Sequence, residues 1–143
     1  MSEVSLQWME GKTFVGTDST RHAFVIAAPG EEGGTGAKPS DLLLLALASC
    51  AAVDVVEILQ KKRQQFANME IRTEGQQDES PPWAFRKIRM HFVFHGTGLD
   101  ARAVEQAIQL SESKYCSVAA TIRGVAEITT SFEILPAPAS VMA

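Results

Sequence analysis

Cysteine is scarce in this chain. Its 143 residues hold two, Cys50 and Cys116. There is no Cys-x-x-Cys pair, no cluster of His and Cys ligands and no glycine-rich phosphate loop, so neither a metal nor another cofactor is expected. Positive charge is also short: 13 Lys and Arg face 17 Asp and Glu, for a formal net charge of -4, which argues against nonspecific nucleic-acid binding. The longest apolar run, Leu42 to Val53, falls short of the roughly 20 residues that span a bilayer, so no membrane partner is expected. The first residues, Met-Ser-Glu-Val-Ser-Leu-Gln-Trp, carry neither a basic segment nor an apolar one, and no signal peptide is predicted. With two cysteines and no export signal, the expected location is the reducing cytoplasm, where a disulfide is more often transient and catalytic than structural.

What is present suits one soluble domain. The apolar fraction is 45% and the charged fraction 21%, ordinary values for a globular protein. Residues 3–9, 13–17 and 23–28 alternate as strands and predict an N-terminal antiparallel meander. Residues 29–37 hold four glycines and a proline and predict a mobile loop. Ser40 offers a helix N-cap, and Asp41 then falls in the first turn, where a carboxylate favours the positive end of the helix dipole. The helix is predicted from Asp41 to about Gln64. Its first half is apolar nearly all round, which predicts a buried central helix. Strands are predicted at 69–75 and 85–96, joined as a wide hairpin, then a helix from Leu99 to about Ser113. Cys116 follows at the start of a short helical turn, Ser117 to Ile122, before a last strand with Val125, Ile128, Phe132 and Ile134. A single domain is expected over 1–136, with a disordered tail over 137–143.

Each cysteine has a structural and a chemical reading. Cys50 is surrounded by Ala46, Ala48, Ser49, Ala51 and Ala52, so it could fill a close helix crossing, as free cysteines often do. A reactive role needs a thiolate, which apolar burial disfavours. The neighbour one turn on, Asp54, would raise the thiol pKa. An activating cation must then come from elsewhere, and Arg21 in the meander is the best candidate, with Lys38 or Lys114 as alternatives. Cys116 is either a small buried residue beside Tyr115 or a thiol favoured by a helix N-terminus. Asp41 precedes Cys50 by roughly 13–14 Å of helix axis, so the two cannot touch within one helix. The carboxylate could reach a thiol site across a loop, or serve the cysteine of a second subunit across a two-fold axis. His22, His91 and His95 show no ligand spacing. Phe92 and Phe94 read as core, and Lys61-Lys62-Arg63 reads as a solvated helix end.

The segment Gly36-Ala-Lys-Pro-Ser-Asp-Leu-Leu-Leu-Leu-Ala-Leu-Ala-Ser-Cys50 resembles the helix-start motif of the OsmC/Ohr superfamily: a proline, an acid, a leucine-rich run and a cysteine. Leu110-Ser-Glu-Ser-Lys-Tyr-Cys116-Ser-Val resembles that family's second cysteine site, and Asp54-Val-Val-Glu-Ile-Leu and Lys114-Tyr-Cys-Ser-Val look closest to a less characterised OsmC-like branch. The resemblance implies an α+β fold with antiparallel sheets wrapped around two central helices in an intertwined homodimer. It implies a thiol-dependent peroxidase acting on organic hydroperoxides. Cys50 would be the peroxidatic thiol and Cys116 the resolving one, reset by a dithiol reductant of lipoyl or thioredoxin type. Asp41 stands where the family has glutamate, one methylene longer, and Arg21 matches the arginine that holds the thiolate. The alternative is a non-enzymatic dimer that binds a small apolar or electrophilic molecule at the interface cleft.

Overall fold

The structure, a computed structural model, describes residues 1–30 and 34–138. Part of the glycine-rich loop (31–33) and the last five residues of the expected tail lie outside them. The chain forms two compact units, Met1–Leu43 and Leu44–Ala143.

In the first unit the alternating segments form the expected meander. Strands β1 (Ser5–Glu10), β2 (Thr13–Thr17) and β3 (Ala23–Ala27) pair antiparallel in the order β1-β2-β3. The β2–β3 turn is shaped by Asp18, whose Oδ1 accepts the backbone N–H groups of Thr20 and His22 at 2.9 and 2.8 Å. This bend holds Arg21 at a positive φ of 72°.

The second unit carries nearly all of the core. Helix α1 runs from Asp41 to Lys61, with its first turn in the N-terminal unit. Strand β4 (Asn68–Gln77) pairs antiparallel with β5 (Phe85–His95). Gly75 of β4 is required by close packing, since a Cβ there would come within 2.5 Å of the Phe85 ring. Helix α2 (Ala101–Leu110), a π-helical turn (Ser111–Tyr115) and helix α3 (Ser117–Ile122) lead to β6 (Glu127–Leu135). Leu47, Val55, Leu59, Ile88, Phe92, Phe94 and Val104 are almost fully buried together.

Two expectations are corrected. The sheets are not all antiparallel, because β6 runs parallel to β5. The connection between them carries two helices and a π turn, long enough to return the chain to the starting edge, as parallel pairing requires. Nor is the first half of α1 buried all round. It buries one stripe, Leu47, Ala51, Val55 and Leu59, repeating every fourth residue, while Leu45 and Val53 remain 59% and 66% exposed. Within this chain only one side of the helix meets the core. By length and composition α1 could also cross a membrane, since 21 residues form one helix where the apolar run alone is shorter. The core stripe accounts for part of that apolarity, and the core helix of a globular protein passes the same test.

Candidate functional site

Helix α1 sets two side chains of the site. Cys50 and Asp54 are one turn apart on one face, the spacing at which helical side chains meet. Cys116 comes to them from the far end of the unit. The Cys50 Sγ, the Cys116 Sγ and a carboxylate oxygen of Asp54 all lie within 4.8 Å of one another. Both cysteines are free thiols, Cys50 partly buried and Cys116 3% exposed.

The path that delivers Cys116 starts in α2. Asp100 caps this helix, accepting the Arg102 N–H at 3.1 Å, and Ala103, Val104, Ala107 and Ile108 anchor it in the core. The next turn widens. The Cys116 N–H reaches back five residues to the Ser111 carbonyl at 2.8 Å, the π-type bond that often marks a functional site. The Arg123 guanidinium donates to the Glu112 carbonyl within this turn, satisfying one of its backbone acceptors. Cys116 then caps α3, its sulfur accepting the Ala119 N–H at 3.4 Å. The turn also positions Ser111, only 1% exposed, whose hydroxyl donates to Asp54 Oδ2 at 2.9 Å.

The two thiols differ electrostatically. Burial pushes the Cys50 thiol up, but donors outweigh it and lower its pKa overall: the Val118 N–H, the Cys116 thiol, and the hydroxyl and N–H of Ser117. The Ser117 hydroxyl lies 3.9 Å from the Cys50 sulfur. Cys116 moves the opposite way. Burial raises its pKa, only partly offset by the Ala119 N–H, and the neighbouring Cys50 raises it further. Of the two thiols, Cys50 is the one whose ionisation its surroundings favour, and Cys116 the one they hold back.

Of the two readings of Cys116, burial outweighs the help that the α3 N-terminus gives its thiolate. Those backbone donors act on both sulfurs, but burial and the thiolate beside it dominate at Cys116. The groups that lower the Cys50 pKa are hydrogen-bond donors of Cys116, Ser117 and Val118. Asp41 is exposed at the start of α1, 3.9 Å from Lys38. Arg21 occupies the β2–β3 turn of the N-terminal unit. Lys114 packs over the Tyr115 ring at 5.3 Å. The structure thus gathers Cys50 and Cys116 in one unit and places Asp41 and Arg21 in the other. Ser111 was overlooked, although it extends the Val104, Ala107, Ile108 stripe of α2 by one step, and a polar residue on an apolar stripe is a usable signal. A cleft of about 420 Å³ opens beside Asp54, lined also by Ile58, Lys61, Lys62, Leu110 and Tyr115.

Known proteins resemble this chain in sequence and in fold. The chain is 36% identical to Protein YhfA of Escherichia coli strain K12 over 135 residues, covering 94% of this chain and 99% of that one. A hypothetical protein from Aquifex aeolicus VF5 superposes with a TM-score of 0.85 at 32% identity, covering 96% and 98% of the two chains. The organic hydroperoxide resistance protein OhrB of Bacillus subtilis shares the fold at a TM-score of 0.63 and 18% identity, covering 93% and 98%. The family model for OsmC-like proteins matches residues 30–131, a span that takes in both cysteines and Asp54. With its α+β architecture, its paired thiols and this match, the chain belongs to the OsmC-like protein family.

Proposed function

We propose that the protein is a cysteine-based peroxidase that reduces organic hydroperoxides in the cytoplasm and works as a homodimer. The observation that carries the reading is the pair of free thiols brought within 4.8 Å of each other, with Cys50 lowered and Cys116 raised in pKa. The Cys50 thiolate attacks the terminal peroxide oxygen. An S–O bond forms, the O–O bond breaks, and the alkoxide takes a proton from water and leaves as an alcohol. Cys50 is then a sulfenic acid. The Cys116 sulfur attacks it, the S–S bond forms, and the hydroxyl leaves with the Cys116 proton as water. A dithiol of lipoyl or thioredoxin type reduces the disulfide by exchange and restores both thiols. The apolar wall of Ile58, Leu110 and Tyr115 near Asp54 suits a substrate with an organic tail. Arg21 and Asp41 enter the proposal in the roles that the family resemblance gives them.

The test is peroxide consumption with an organic hydroperoxide and a lipoyl donor, comparing wild type with Cys50→Ser. The variant should be inactive, and equal rates would overturn the proposal. After one equivalent of cumene hydroperoxide, both thiols should be gone and an intramolecular disulfide present. Retention of both thiols would favour a dimer that binds small apolar or electrophilic molecules without turning them over.

A further inference from the structure

The sequence gives no reason to expect a metal, since its cysteines are far apart and show no ligand spacing. The fold changes the donor set. Two sulfurs and a carboxylate oxygen lie within 4.8 Å of one another, on Cys50, Cys116 and Asp54. We propose that the reduced protein binds one zinc-like divalent cation through Cys50 Sγ, Cys116 Sγ and an Asp54 carboxylate oxygen.

The geometry fits with small adjustment. Zinc holds thiolate sulfur at about 2.3 Å and carboxylate oxygen at about 2.0–2.2 Å, so tetrahedral ligand atoms sit roughly 3.5–3.8 Å apart. From within 4.8 Å, a rotamer adjustment brings the three donors to a common centre. Two of them project from one face of α1 at i and i+4, the spacing by which a single helix offers two ligands to one ion. The third is fixed by the π turn and the α3 cap.

The surrounding shell is also in place. Ser111, almost fully buried, donates to Asp54 Oδ2 and orients the carboxylate. The Ala119 N–H donates to the Cys116 sulfur, and the Ser117 hydroxyl lies beside the Cys50 sulfur. Such outer partners fix ligand orientation and tune affinity. Asp54 lines a solvent-filled cleft, and Cys50 is itself partly exposed, so an ion can approach from the solvent side.

Charge points the same way. Two thiolates and a carboxylate at this range repel unless protons or a cation intervene. A divalent ion replaces the thiol protons, so binding releases protons and tightens as pH rises. Thiolate and carboxylate together select a borderline ion such as zinc over calcium or magnesium, which take oxygen ligands.

The inference shares two sulfurs with the proposed peroxidase but needs none of its chemistry, so a protein inert to peroxide would leave it standing. The two states exclude each other. A Cys50–Cys116 disulfide removes two of the three donors, and a bound ion occupies the lone pair that would attack a peroxide. Zinc would therefore inhibit turnover and shield the thiols from oxidation.

The experiment is an anaerobic titration of the fully reduced protein with cadmium, followed by its ultraviolet thiolate charge-transfer band, and then with zinc to displace the cadmium. The band should saturate at one ion per chain and vanish on zinc addition. Asp54→Asn and Ser111→Ala should each weaken cadmium binding by about tenfold or more. Wild type oxidised to its disulfide is the folded control and should bind no cadmium. Absence of the band in reduced wild type would overturn the inference. So would wild-type affinity in Asp54→Asn, or undiminished binding by the disulfide form.

Discussion

The two sheets follow the same alternating pattern and meet different fates. In β5, Ile88, Met90, Phe92 and Phe94 are each 3% exposed or less. In β1, Leu6 and Trp8 occupy equivalent alternate positions and are 61% and 64% exposed. The C-terminal unit brings its own cover, α1 and α2, to one face of its sheet. The apolar side chains of β1 find none within their own unit. Alternation thus announces a face to be buried but not what buries it. Helix α1 repeats the contrast in one element, with Val55 fully buried and Val53 66% exposed. In the proposed homodimer, a second copy covers what one chain leaves open.

This contrast makes the C-terminal unit the place where substitutions should hurt most. Cys50→Ser should reduce peroxide turnover by more than about 1,000-fold, at least ~4 kcal/mol of transition-state stabilisation, in a steady-state assay with a dithiol donor. Leu59→Ala removes a side chain with no exposed surface and should cost about 2–5 kcal/mol in denaturant unfolding. Ser111→Ala deprives Asp54 of its donor at a buried position and should cost about 1–3 kcal/mol by the same measurement.

A subtler effect lies within the thiol pair. Alkylation of Cys50 should show a pH midpoint below that of an ordinary cysteine, because donors hold its pKa down. Cys116→Ala removes one of those donors and should move the midpoint up; an unchanged midpoint would mean that the Ser117 and Val118 donors suffice. The smallest effect on stability is expected in β1. Leu6→Ser should change the unfolding free energy of the dilute chain by no more than about 0.5 kcal/mol. It should nevertheless shift sedimentation toward monomer, and an unchanged assembly would break the contrast between the sheets.

Much of the fold was legible. Strand alternation marked the meander, and the apolar run after Ser40 and Asp41 marked the long helix to within a turn. The direction of β6 was not, because a period of two reads the same both ways along a strand. For the site, Cys50 and Asp54 were already neighbours at helical spacing, but Asp54 was read only as a repulsive charge. Its role depends on Ser111, and their contact spans a fold that no local pattern encodes. The donors that lower the Cys50 pKa include backbone N–H groups of Ser117 and Val118, to which side-chain identity is silent.

The π turn at Ser111–Tyr115 has a consequence for how this site can be gained or lost. A widened turn holds one residue more than an α-helical one, and one residue advances a helix by about 100°. The widened turn absorbs its extra residue, so Cys116 makes to the Ser111 carbonyl the bond that a residue four places on would make in an α-helix. Deleting one of Glu112, Ser113, Lys114 or Tyr115 would let regular winding form that bond one residue sooner and leave Cys116 near its present bearing. The site is therefore open to a change of chain length inside this turn, whereas a deletion within α2 would rotate everything after it by about 100°.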